Sequence, residues 1–202
     1  MRIEDGFIVD VFKFCDRWCG RCVLADRCRL NVEGPGPDNG QTTFDGFNAD
    51  CLPADMEVSQ FGPDPEVVAK SASLRRKTNR ARLSASASVR LACETVEYLT
   101  MFVTVTTFRA IAARSRGETA GDQSSANGYG KAALLALERM RHAWRILVDT
   151  RHFSESDVAP FLREIERMER NVIRIAPGAG RFVRPGFDEP AEVAMLQAKT
   201  KH

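Results

Sequence analysis

The chain has 202 residues, of which 44% are apolar and 28% charged, and its net charge is +2. That length suits one domain with at most a small appendage, and the apolar share is enough for a real core, while so small a net charge singles out no class of partner. No uncharged apolar run approaches the roughly 18 residues of a bilayer span, and acids stand at the N-terminus where a secretory signal carries cations; the expectation is a cytoplasmic protein with no membrane partner.

Residues 1–14 alternate Phe7, Ile8, Val9, Val11, Phe12 and Phe14 with Asp10 and Lys13, which suggests a short strand or extended segment. Four of the six cysteines follow at once: Cys15, Cys19, Cys22 and Cys28, spaced C-x3-C-x2-C-x5-C. Two thiolates separated by two residues can face one ion from a tight turn, and Gly20 supplies backbone freedom for that turn. Two more within a few residues complete an all-sulfur shell, which suits Zn2+ or, alternatively, a [4Fe-4S] cluster. Arg17, Arg21, Arg27 and Arg29 would offset the charge of four thiolates and favour their ionisation. In a reducing compartment, clustered thiols bind metal or do redox chemistry more often than they pair as disulfides. Zinc is the preferred reading, because a closed structural site can anchor a segment that has no core of its own. Cys51 falls in a loop, and Cys93 is expected to be core packing on a helix.

Residues 31–63 are rich in turn formers, among them Gly34-Pro35-Gly36-Pro37-Asp38-Asn39-Gly40, and read as a loop or linker. From Asp64 the pattern turns helical. Asp64-Pro65-Glu66 is a helix start, with Asp as N-cap and Pro at the first position, and a helix is predicted over Pro65 to about Arg82. A second is predicted over Ser86 to Arg116, with Val89, Ala92, Cys93, Val96, Leu99, Val103 and Phe108 near one face and Gly117 as its stop. Within it, Val103-Thr104-Val105-Thr106-Thr107 favours a strand locally, against helical flanks on both sides. Residues 117–130 read as a Gly/Ser/Asn loop. A third helix is predicted from about Tyr129 to Thr150, and a fourth from Ser154, where Ser154-x-x-Asp157 resembles a capping box, to Pro177-Gly178-Ala179-Gly180. Residues 181–202 read as an extended tail. The expectation is therefore an all-α protein in four parts: a cysteine segment (1–30), a loop (31–63), an antiparallel four-helix bundle (64–180) and the tail (181–202).

Resemblances to known families add little. Trp18-Cys19-Gly20-Arg21-Cys22, Asp26-Arg27-Cys28, Asp64-Pro65-Glu66-Val67-Val68, Gly128-Tyr129-Gly130-Lys131 and Val183-Arg184-Pro185-Gly186-Phe187-Asp188 are together similar to a group of bacterial helical proteins that have the same N-terminal cysteine spacing. That resemblance implies the helical architecture and no activity. The C-x3-C-x2-C spacing of Cys15, Cys19 and Cys22 also resembles the cluster motif of radical SAM enzymes, but the chain lacks the alternating β/α pattern of their barrel.

Three other features bear on function. Arg75, Arg76, Lys77, Arg80 and Arg82 lie in a stretch with no acid between Val67 and Cys93, so a nucleic-acid backbone is one candidate partner. The competing reading is a solvated helix face balanced by Glu164, Glu166 and Glu169 on the fourth helix. Gly128-x-Gly130-Lys131 ahead of a helix could greet an anion, or be only a flexible lead-in. A di-iron bundle is disfavoured, because no Glu-x-x-His is present among the three histidines. No P-loop, dinucleotide fingerprint or nucleophile elbow occurs, so nothing supports catalysis. The functional expectation is a metal-binding helical protein with an interaction or regulatory role and a protein partner; an iron–sulfur redox accessory and a nucleic-acid binder are the alternatives.

Overall fold

The computed structural model describes residues 2–4, 7–9, 25–28, 65–83 and 86–184. Helices dominate these residues, as the all-α expectation requires: α1 is Pro65–Ala81, α2 Ala87–Ser115, α3 Ser125–Asp149 and α4 Glu155–Ile175. Near the N-terminus, β1 (Arg2–Glu4) pairs antiparallel with β2 (Phe7–Val9), Ile3 standing opposite Ile8. Two paired strands thus replace the single extended segment expected there, and the intervening Asp5-Gly6 is a favoured two-residue hairpin sequence. Asp64, the whole of the expected loop at 31–63 and the tail beyond residue 184 lie outside the described residues.

The helix ends are set by local chemistry. Ser154 and Asp157 form the full capping box at the start of α4: the Asp157 backbone N–H donates to the Ser154 hydroxyl oxygen, and the Asp157 carboxylate accepts from the Ser154 backbone N–H at 3.0 Å. α2 closes in a Schellman motif, with Glu118 N–H donating to Ala113 C=O and Gly117 N–H to Arg114 C=O while Gly117 adopts φ +75°. α3 ends in the same motif, through His152 N–H to Leu147 C=O and Arg151 N–H to Val148 C=O. There the left-handed position is held by Arg151 at φ 60°.

The threonine-rich stretch of α2 shows why strand propensity loses. Thr95, Thr100, Thr104, Thr106 and Thr107 each donate a side-chain hydrogen bond to the carbonyl four residues earlier, so the hydroxyls are satisfied within the helix. Packing of Val96, Leu99, Phe102 and Val103 against the other helices then decides the conformation.

α3 begins four residues earlier than its sequence suggests. Ser124 is its N-cap, accepting from the Asn127 backbone N–H, so Gly128 and Gly130 lie inside the helix and not in a loop. The composition misleads because Gly130 serves close packing: a Cβ there would stand 2.6 Å from the Cβ of Ala176 and 3.0 Å from that of Ala179. The one-turn 3-10 helix Ala179–Arg181 rests against this part of α3.

α2 and α3 share the most extensive contact, α4 packs on α3, and α1 lies more lightly against α2 and α4. The main core gathers Val89, Leu99, Leu137, Trp144, Leu147, Val158 and Val172, all at most 2% exposed. The edge of Trp144 meets Phe153 at 5.6 Å between ring centroids, and Phe161 lies tilted at 5.3 Å. A smaller cluster of Ala110, Ile111 and Ile175 closes the other end, where Arg114 donates to the Ile175 carbonyl at 3.0 Å and sets a cation on the C-terminus of α4. By length and composition alone, α2 is apolar enough to cross a bilayer, a test that the core helix of a soluble protein also passes; 44% of its apolar window is buried inside the protein.

Candidate functional site

Of the four clustered cysteines, Cys28 lies among the described residues and Cys15, Cys19 and Cys22 lie outside them, as does Cys51. Cys28 follows a single 3-10 turn, Ala25–Arg27, and its backbone N–H donates to the Ala25 carbonyl at 3.3 Å. It is a free thiol, 6% exposed. Among the described residues no three His, Cys, Asp or Glu side chains gather as a metal shell. Cys93 packs in the main core between α2 and its neighbours, as its sequence context suggested. Burial pushes its thiol up, outweighing the opposing pull of Arg82, so it stays protonated at neutral pH. Glu94, Glu97, Glu138 and His142 are all exposed.

The basic residues of α1 separate into two kinds. Lys77 donates to the Asp157 carboxylate at 2.6 Å, and Arg82, just beyond the helix, pairs with Glu97 of α2. Both are ties between elements. Arg75, Arg76 and Arg80 are exposed and make no ion pair among the described residues. The balancing acids are not those expected. Glu164 pairs with Arg167 of its own helix and Glu169 with Arg141 of α3, whereas α1 is held to α4 by Lys77–Asp157 and by Glu66–Arg163. The reason is tertiary: α1 packs where the side chains of Asp157 and Arg163 come within reach, a contact that spacing along the chain does not reveal. The Asp157 carboxyl is pulled down to about 2 by the Lys77 ammonium and by the Ser154 backbone N–H and hydroxyl.

Gly128, Gly130 and Lys131 form no anion site at a helix start, since α3 has already completed its first turn by Gly128. The Lys131 ammonium instead reaches the Gly180 carbonyl at 3.4 Å.

Sequence reasoning did not foresee a cavity of about 570 Å3 where all four helices meet. α1 contributes Leu74, Arg75, Thr78 and Asn79, and α2 contributes Val96, Glu97, Thr100, Val103 and Thr104. Leu137, Met140 and Trp144 come from α3, and Phe161, Glu164, Ile165 and Met168 from α4. Apolar side chains make most of the wall. Trp144 is 1% exposed, and its indole N–H has no hydrogen-bond partner among the described residues. No periodicity in a single helix signals such a space, because it depends on how four helices are set against one another.

Comparison of the chain with protein-family models, with curated proteins and with solved structures found no match in any of the three.

Proposed function

We propose that the chain is a metal-binding helical protein in which Cys15, Cys19, Cys22 and Cys28 hold one Zn2+ beside an antiparallel four-helix bundle. The observation that carries this is the concentration of four of six cysteines into fourteen residues with ligand-like spacing. Cys28, the member of the set among the described residues, is a free and buried thiol at the end of a tight turn, in keeping with a ligand withdrawn from solvent. Four thiolates satisfy a tetrahedral zinc without help from elsewhere, and zinc bound there would act structurally, by tying a short segment into one conformation.

Two contacts support the bundle. Arg114 near the end of α2 meets the end of α4, while Asn127 at the start of α3 meets Gly178 just past it. Chain ends thus alternate along one axis, as in up-down connectivity with short links. Such a bundle, in a sequence without a P-loop, dinucleotide fingerprint or nucleophile elbow, suits an interaction or regulatory role toward a protein partner.

The same donor set accepts a [4Fe-4S] cluster, which is the second reading. Elemental analysis of the full chain purified without oxygen separates the two, beside a Cys19→Ser, Cys22→Ser variant. Zinc predicts about one equivalent in a colourless protein, lost in the variant. A brown protein with about four iron atoms per chain would establish the cluster instead. Absence of stoichiometric metal of either kind would end the proposal.

A further inference from the structure

We infer that the outward face of α2 pairs with the α2 of a second copy of this chain, antiparallel across a two-fold axis. Spacing, burial and charge each point there.

Leu91, Tyr98, Met101, Val105, Phe108 and Ala112, with Glu94 among them, recur at alternating intervals of three and four residues. That is the a/d register of a coiled coil, sustained over about three heptads, or about 32 Å of helix at 1.5 Å per residue.

No member of this seam is buried. Met101 is 70% exposed and Tyr98 39%, while Leu91, Val105, Phe108 and Ala112 are half-buried. The opposite side of α2 already supplies the core, through Leu99, Val103, Thr106 and Ala110. Less than half of the helix's most apolar window is buried within the chain. A helix apolar on two sides calls for two partners, and the bundle covers one side. Tyr98 is steadied for the second: its ring stacks on that of Phe102 at 6.2 Å between centroids, as suits a rigid aromatic anchor.

Charge selects the partner and its direction. Glu94, the one acid in the seam, is exposed and makes no ion pair among the described residues. In a parallel pair each seam residue meets its own counterpart, and two Glu94 carboxylates would face each other. An antiparallel pair layers Met101 on the partner's Val105 and Tyr98 on the partner's Phe108. Glu94 then falls beside the partner's Ala112, between the partner's Arg109 and the partner's Arg116. Arg116, which caps α2, donates its Nε–H to Glu118 at 2.6 Å, and the outer end of its guanidinium is left for a second acid. Two-fold symmetry repeats the contact at the other end of the seam, so the chain is complementary to itself. The seam contains no cysteine, and its failure would leave the metal proposal standing.

Sedimentation equilibrium of the full chain under reducing conditions, over a series of micromolar concentrations, tests the inference. The mass should rise with concentration to twice the chain's 22.5 kDa. Met101→Lys places a charge where the single chain is open to water, so the fold should survive while association weakens at least about hundredfold. Glu94→Gln should weaken it about three- to tenfold. Adding Arg116→Glu to Glu94→Arg should recover what Glu94→Arg alone loses. Circular dichroism and the urea midpoint check that each variant folds. A chain that stays at 22.5 kDa throughout would overturn the inference, as would a dimer indifferent to Met101→Lys in folded protein. A dimer tightened by Glu94→Gln would overturn it too, since like charges would then be facing each other in a parallel pair. A monomer that sediments with phosphatidylcholine vesicles would give the same face to a membrane and equally end it.

Discussion

The side-chain oxygen of Asn127 accepts a hydrogen bond from the backbone N–H of Gly178 at 3.0 Å, across 51 positions of sequence. Its amide nitrogen meanwhile donates to the Gly121 carbonyl at 3.0 Å. One side chain, 6% exposed, therefore ties the entry of α3 to the loop before it and to the turn after α4. Asn127→Ala would leave the buried Gly178 N–H without an acceptor and should cost about 1–3 kcal/mol in urea unfolding. Asn127→Asp keeps the acceptor and loses the donor, so its midpoint should fall between those of the alanine variant and the parent.

Gly130 offers a test in which the sign decides. In an open helix, glycine to alanine stabilises by about 0.8–1 kcal/mol. Here the new methyl would meet Ala176 at 2.6 Å, closer than two carbons can stand, so Gly130→Ala should destabilise by about 1–3 kcal/mol. Gly180→Ala, where nothing lies within 4 Å of the added carbon, should stay within about 0.5 kcal/mol of the parent.

Arg151 carries a left-handed backbone that its Cβ disfavours, at the C-terminal turn of α3. Its exposed side chain has little to lose. Arg151→Gly should stabilise the protein by about 0.5–1 kcal/mol, as relief of strain exceeds the entropy that glycine adds to the unfolded chain. A raised thermal midpoint would show it; a lowered one would mean that the arginine makes a contact outweighing the strain.

Asp157 should give the fold a distinct acid response. Its native carboxyl titrates at about 2, below the ordinary 3.8, so the unfolded chain takes up this proton first as pH falls. The stabilisation is complete above about pH 4 and is lost as pH falls toward 2. Asp157→Asn should flatten the dependence of unfolding free energy on pH in that window. At pH 7 it should cost about 0.5–1 kcal/mol, since the Lys77 pair is partly solvent-exposed. Equal slopes for the parent and variant between pH 4 and 2 would refute the assignment.

How far the fold could be read in advance depended on the range of the forces involved. Ser154-x-x-Asp157, Pro65 and Gly117 mark helix boundaries through contacts within one turn, and each boundary falls within a residue of its expected place. The start of α3 was misplaced because Gly128 and Gly130 look like loop residues unless Ala176 and Ala179 are known to pack against them. That Asp157, rather than Glu164, Glu166 or Glu169, answers Lys77 was hidden for the same reason, since the two lie 80 positions apart. The cysteine spacing was plain in the sequence, whereas the cavity around Trp144 was invisible, being made by four helices jointly.

The threonines of α2 have one more consequence. Because each hydroxyl hydrogen is already engaged by the helix's own backbone, moving Thr100 or Thr104 from water to an oily contact strips few hydrogen bonds from them. Near the exposed Tyr98 and Met101, that part of the helix can change surroundings with little penalty. Its tolerance for wet or dry neighbours is written into the rod itself.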